Sequence, residues 1–148
     1  MKIHNKIARS TKIILAVGLM LTLAACHEEF TLHDANMAIV GKGSIETDAN
    51  FPSPIAATVN GKNFSGTWSA TKVYEPDMAK MHRHISSRSY NEYMRGDSEH
   101  QLSHGQANLT AQDGSKLECD FYYRARPESG DCKTDGINLT VKFSEGTH

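Results

Sequence analysis

Four imidazoles fall within 23 residues of this 148-residue chain: His82 and His84 either side of Arg83, then His100 and His104 four apart. Met78, Met81, Met94 and Glu99 lie among them. Imidazole suits zinc or copper and thioether suits reduced copper. A His-x-x-x-His pair on a helix would set both rings on one face. His82, His84, His100 and His104 are therefore the candidate metal ligands. No aspartate or cysteine completes a zinc-type spacing, and nothing in the spacing makes the two pairs converge. Solvated loop histidines are the commoner outcome of such a stretch, and no cofactor is expected.

Catalytic motifs are absent. The sequence holds no nucleophile elbow, phosphate-binding glycine loop or His-Glu-x-x-His. Serines, histidines and acids are plentiful enough to form a triad by chance, but no pattern orders them. The expected reading is a protein that is not an enzyme. Charge excludes another class. Lys2, Lys6, Arg9 and Lys12 stand in the first 25 residues with no acid, leaving 12 basic against 17 acidic residues in 26–148. A nucleic-acid binder needs a basic stripe to displace counterions, and this chain lacks one.

The basic segment 1–12 is followed by an apolar run of 13 residues, 13–25. At about 1.5 Å rise per residue, that helix is too short for the ~30 Å hydrocarbon core of a bilayer. It reads as the apolar part of a signal peptide. The four residues Leu23-Ala24-Ala25-Cys26 resemble the lipobox of bacterial lipoproteins. The resemblance implies diacylglyceryl transfer to the Cys26 thiol, cleavage before Cys26 and acylation of the new amine. In that family an aspartate after the cysteine signals inner-membrane retention. His27 stands there instead, which implies the outer membrane, facing the periplasm. The implied partners are the membrane, through the lipid, and another envelope protein.

With Cys26 given to the lipid, Cys119 and Cys132 remain, an even number for an oxidising compartment. Their spacing excludes a Cys-x-x-Cys redox pair, and metal ligation would want more partners nearby. A structural disulfide is expected. Closing a loop of that length is worth roughly 3 kcal/mol in chain-entropy terms.

The elements that would position these groups are strands. Ala107, Leu109 and Ala111 alternate with polar residues up to Asp113-Gly114; Leu117, Cys119, Phe121 and Tyr123 alternate after it. Pro127, Gly130 and Asp131 read as a loop, and Asp135-Gly136 leads into Ile137, Leu139, Val141 and Phe143. A period of two with such turns is an antiparallel meander with one wet face. Residues 55–59 and 62–74 repeat the theme around Asn60-Gly61. In that second run Phe64, Gly66, Trp68 and Ala70 share a face, Gly66 suggests a bulge or bend, and Trp68 reads as core with its N–H turned to a partner. The run Gly105-x-Ala107-x-Leu109-Thr110-x-x-Asp113-Gly114-x-x-Leu117-x-Cys119-x-Phe121 is similar to small proteobacterial exported proteins, a likeness that implies no activity.

The expected fold is thus all-β: a small antiparallel β-barrel or sandwich, a meander of five to six strands after a lipidated tether. Residues 1–25 are the signal peptide. Residues 26–54 are the lipidated cysteine and a polar tether, with one uncertain strand at 37–45. Residues 55–148 are the β domain, carrying a long loop at 75–106 in which 89–95 make a turn or two of helix. The expected function is a non-catalytic, membrane-anchored envelope module that binds another macromolecule; the alternative is a periplasmic zinc- or copper-binding lipoprotein.

Overall fold

The computed structural model describes residues 27–47, 50–96 and 102–144. Eight strands run in chain order: β1 (His27–His33), β2 (Ile39–Glu46), β3 (Ser53–Val59), β4 (Lys62–Val73), β5 (Leu102–Ala111), β6 (Lys116–Tyr123), β7 (Ser129–Thr134) and β8 (Ile137–Phe143). Each pairs antiparallel with the next, and β1 pairs with β8 to close a barrel. Two short helices, α1 (Met78–His84) and α2 (Ser87–Met94), lie in the connection from β4 to β5. Among the described residues no helix is long and apolar enough to cross a membrane.

The fold class and meander follow from the alternation, but the strand number is eight rather than five or six. The two strands without a sequence signal are β1 and β7. In β1 only Phe30 and Leu32 are apolar inward positions, and Glu28 precedes them in the same register. In β7 the inward residues are Gly130, Cys132 and Thr134. Gly130 faces Phe121, whose Cβ would lie 2.6 Å from a side-chain carbon placed there. That strand is small inside because its neighbour is large, so no apolar run marks it. The stretch expected to be a tether accordingly holds β1 and β2 from His27 to Glu46.

Hairpin turns behave as their residues require. Asn60 and Gly61 have φ of 48° and 79°, Asp135 and Gly136 47° and 79°, the double positive-φ turn that matches strand twist. Gly66 makes no bulge, since the register runs unbroken through Ile55, Gly66 and Leu109. It permits close approach instead: a Cβ there would sit 2.8 Å from Leu109 Cα. All the tight turns gather at one end. There Lys62 Nζ lies 2.8 Å from Asp113 Oδ2 and 3.9 Å from Asp135 Oδ2, joining three hairpins. Hydrogen bonds from Lys62, then Ser115, hold the exposed Asp113 carboxyl far below the usual carboxylate range. The opposite end carries the longer connections that follow β2, β4 and β6, together with the start of β1 and the end of β8.

Side chains fill the barrel. Phe121 packs on Trp68 at 5.6 Å and on Phe143 at 5.4 Å between ring centroids, and Phe30 extends the chain of rings. Trp68 is core, and its indole N–H donates to the Glu46 carbonyl at 2.9 Å. Cys119 and Cys132 are direct cross-strand partners with Cα atoms 4.0 Å apart and their sulfurs at disulfide distance, stapling β6 to β7 on the core side.

Candidate functional site

Residues 75–106 were expected to be a long loop with a turn or two of helix at 89–95; β5 instead begins at Leu102, and the two helices before it have identifiable causes. Asp77 caps α1 by accepting from the Ala79 and Lys80 amides, and Ser86 caps α2 by accepting from Ser89 N–H. The pair is held by a second small core, Met81, Ile85, Leu102 and Tyr122, on the outer wall of the barrel. Within the segment Met81 and Ile85 belong to it and Tyr90 and Tyr93 pack against it, divided between two short helices so that no single periodic face marks them. Carboxylates from the strands complete the attachment. Asp120 meets Lys80 Nζ at 3.1 Å and His104 Nε2 at 3.0 Å. Asp131 meets Arg83 Nη2 at 2.9 Å and His84 Nε2 at 3.0 Å. Glu128 accepts from Ser86 N–H and the Ser89 hydroxyl, both at 2.9 Å. Arg124 pairs with Glu92. The Ser129 hydroxyl reaches the Arg83 and His84 carbonyls that end α1.

The four candidate histidines separate in this arrangement. His82 and His84 are two apart on a helix, which turns their side chains about 200° from each other. His82 stacks on Tyr90, ring centroids 4.1 Å apart. His84 is 1% exposed and has both nitrogens engaged: Tyr122 N–H donates to Nδ1 at 3.1 Å, so the proton sits on Nε2 and is donated to Asp131. His104 lies on β5 rather than on a helix, stacked on Tyr122 at 4.5 Å. His100 and Cys26 lie outside the described residues. Among the described residues no group of three or more His, Cys, Asp and Glu side chains is placed to hold a metal ion. Of the three that are described, His84 joins helix to barrel, His82 joins α1 to α2, and His104 links β5 to β6.

Burial pushes the Asp131 carboxyl up, but hydrogen bonds from Arg83 and His84 outweigh it and hold the group below its ordinary value. A depressed folded value means that stability is present above the unfolded carboxylate pKa of about 3.9 and is lost as pH falls through the folded value. On acidification below about pH 4, the α1 amides and the Tyr122 amide should therefore lose exchange protection before the remaining barrel amides. In Asp131→Asn that loosening should already be present at pH 6. Equal protection of helices and barrel down to pH 2, after correction for intrinsic rates, would remove Asp131 from this role.

The bare outer wall, β1 to β4, carries the larger concavity. A groove of about 610 Å³ crosses it. Two cross-strand rows floor it: Glu29, Ser44, Ala56 and Ser65, then Thr31, Lys42, Thr58 and Asn63. These outward positions alternate with the core residues, so β closure alone aligns them. Thr58 and Asn63 are joined by a 2.8 Å hydrogen bond. Among the described residues, Glu29 and Lys42 are the only ionisable side chains in the lining. Short hydroxyls, an amide and one charge of each sign can hold an extended polar chain. Sequence reasoning missed this groove because half of it belongs to β1 and β2.

At the open end, Glu28 points inward with Oε2 buried and without a hydrogen-bond partner, and burial pushes its carboxyl up against the opposing pull of Arg126. No protein-family model, curated protein or solved structure matches the chain.

Proposed function

We propose that the chain is a lipid-anchored bacterial envelope protein, attached through Cys26 to the outer membrane and facing the periplasm, whose barrel binds another envelope protein rather than catalysing a reaction. The anchor rests on the lipobox-like Leu23-Ala24-Ala25-Cys26. The binding role rests on one observation above others: an open, hydroxyl-lined groove of about 610 Å³ crosses β1 to β4, with Glu29 and Lys42 in it. The filled barrel interior favours recognition by the outer surface over carriage of a small ligand inside.

A photo-activatable residue at Ala56 or Ser65, both exposed partners on adjacent strands, tests the reading in intact cells. Illumination should give a discrete higher-mass adduct from these positions and none from Lys116 on the far side of the barrel. No adduct at either groove position, or an equal yield at Lys116, would sink the binding role assigned to this face.

A further inference from the structure

The anchor cysteine and the barrel have no spacer between them. Cys26 immediately precedes His27, the first residue of β1, and consecutive Cα atoms are about 3.8 Å apart. β1 is paired from that first residue, His27 opposite Glu46, and is locked on its other edge by Phe30 opposite Phe143. The Ser144 amide also donates to the Glu29 carbonyl at 2.8 Å. Unzipping the strand to create a tether would break this ladder.

We infer that the open end of the barrel rests directly on the lipid surface, with Phe51, Tyr74 and Met94 in the headgroup region and the hairpin tips pointing away. This deepens the proposed function and rests on acylation of Cys26. Antiparallel order sets which residues share the anchor's end. Phe51 precedes β3, Tyr74 follows β4, and Met94 closes α2, whose Tyr93 hydroxyl donates to the Tyr74 carbonyl. They are 42%, 75% and 56% exposed. Aromatic side chains favour the membrane interface, where an apolar ring and a polar edge are both satisfied. The same end has a hollow of about 530 Å³ lined by Arg88 and Arg126, two guanidinium groups against the single carboxylate of Glu128, beside Ser86 and Ser144. Guanidinium groups there suit the phosphates of lipid headgroups. Met37, Ile39 and Ile137, also exposed, belong to the hairpin end and would face away from the membrane.

The test uses the full lipidated protein in vesicles of phosphatidylethanolamine and phosphatidylglycerol. An environment-sensitive fluorophore is placed on a single added thiol: Phe51→Cys, Tyr74→Cys or Met94→Cys at the rim, Ile39→Cys or Ile137→Cys at the tip. Because Phe51 packs on Trp68, the Tyr74 and Met94 variants keep the test independent of any folding defect at Phe51. Rim labels should shift to the blue and lose emission to nitroxide-headgroup lipids, while tip labels should do neither. Palmitoylated protein that floats with vesicles but shows no rim quenching, or equal quenching at both ends, overturns the orientation and leaves the anchor standing. A rim shift that appears without vesicles and grows with protein concentration would assign the rim to a second copy and overturn it as well. Protein that carries no palmitate and does not float overturns both readings.

Discussion

Phe121→Ala should cost the barrel about 3–5 kcal/mol, the usual range for truncating a buried phenylalanine. Phe121 is 1% exposed and touches Trp68, Tyr123 and Phe143. Its ring also occupies space that two neighbouring strands leave open: a Cβ on Gly105 would lie 2.7 Å from Phe121 Cδ2, and one on Gly130 2.6 Å from Phe121 Cβ. Glycines have no side chain to swing into the hole. The cavity should collapse little, which places the loss toward the upper part of the range. Set against a total stability of about 5–15 kcal/mol for an ordinary domain, one residue would remove a large fraction. Gly105→Ala should err in the opposite sense, by overpacking, at about 1–3 kcal/mol. Urea unfolding followed by far-ultraviolet circular dichroism measures both. A Phe121→Ala midpoint close to that of the unaltered protein would mean that the interior is not packed around this ring.

Cys26→Ser should abolish incorporation of radiolabelled palmitate and leave a precursor that keeps its first 25 residues. The physical reason is chemical identity: a thiol receives the diacylglyceryl group in the lipobox pathway that Leu23-Ala24-Ala25-Cys26 resembles, and a hydroxyl does not. The magnitude of the anchor follows from chain burial. Each buried methylene contributes about 0.8 kcal/mol and a single myristoyl chain binds only marginally, so two or more chains convert transient contact into lasting attachment. In the orientation proposed above, with β1 beginning at the next residue, loss of the lipid should also free the barrel from the membrane surface. Metabolic labelling and fractionation of intact cells read both consequences. A serine variant that is still lipidated, or an unaltered protein released in soluble mature form, would mean that the signal is misread.

Where the inward residues are large, the strands were visible in advance. Leu117, Cys119, Phe121 and Tyr123 announce β6, and Leu139, Val141 and Phe143 announce β8, because each buried position must be apolar and each neighbour faces water. β7 was hidden by the same packing that requires it, since Gly130 and Cys132 are small to admit Phe121 and the sulfur of Cys119. The helices were partly visible at 89–95, whereas α1 was not. Its stabilisation comes from Asp120, Asp131 and Tyr122, residues 38 to 48 positions away along the chain from the groups they meet. Local propensity carries no information about such partners. The candidate histidines were legible as unusual chemistry, but their roles were not. His84 became a buried link because the strand amide of Tyr122 and the carboxylate of Asp131 happened to converge on its ring.

The sequence by itself determined the all-β class, the hairpin turns at Asn60-Gly61, Asp113-Gly114 and Asp135-Gly136, and the apolar register that holds Cys119. Those features depend on alternation and turn chemistry within a few residues, which a linear reading contains. Tertiary structure alone decided that eight strands close, that the supposed tether begins the barrel, and that the helices fold back onto β6 and β7. It also decided that Glu29, Ser44, Ala56 and Ser65 form one row across four strands. Closure requires β1 to find β8, more than 100 residues away, through backbone hydrogen bonds that every residue type can make. Backbone pairing of that kind leaves no mark on side-chain identity, so the groove emerges only when the chain is folded.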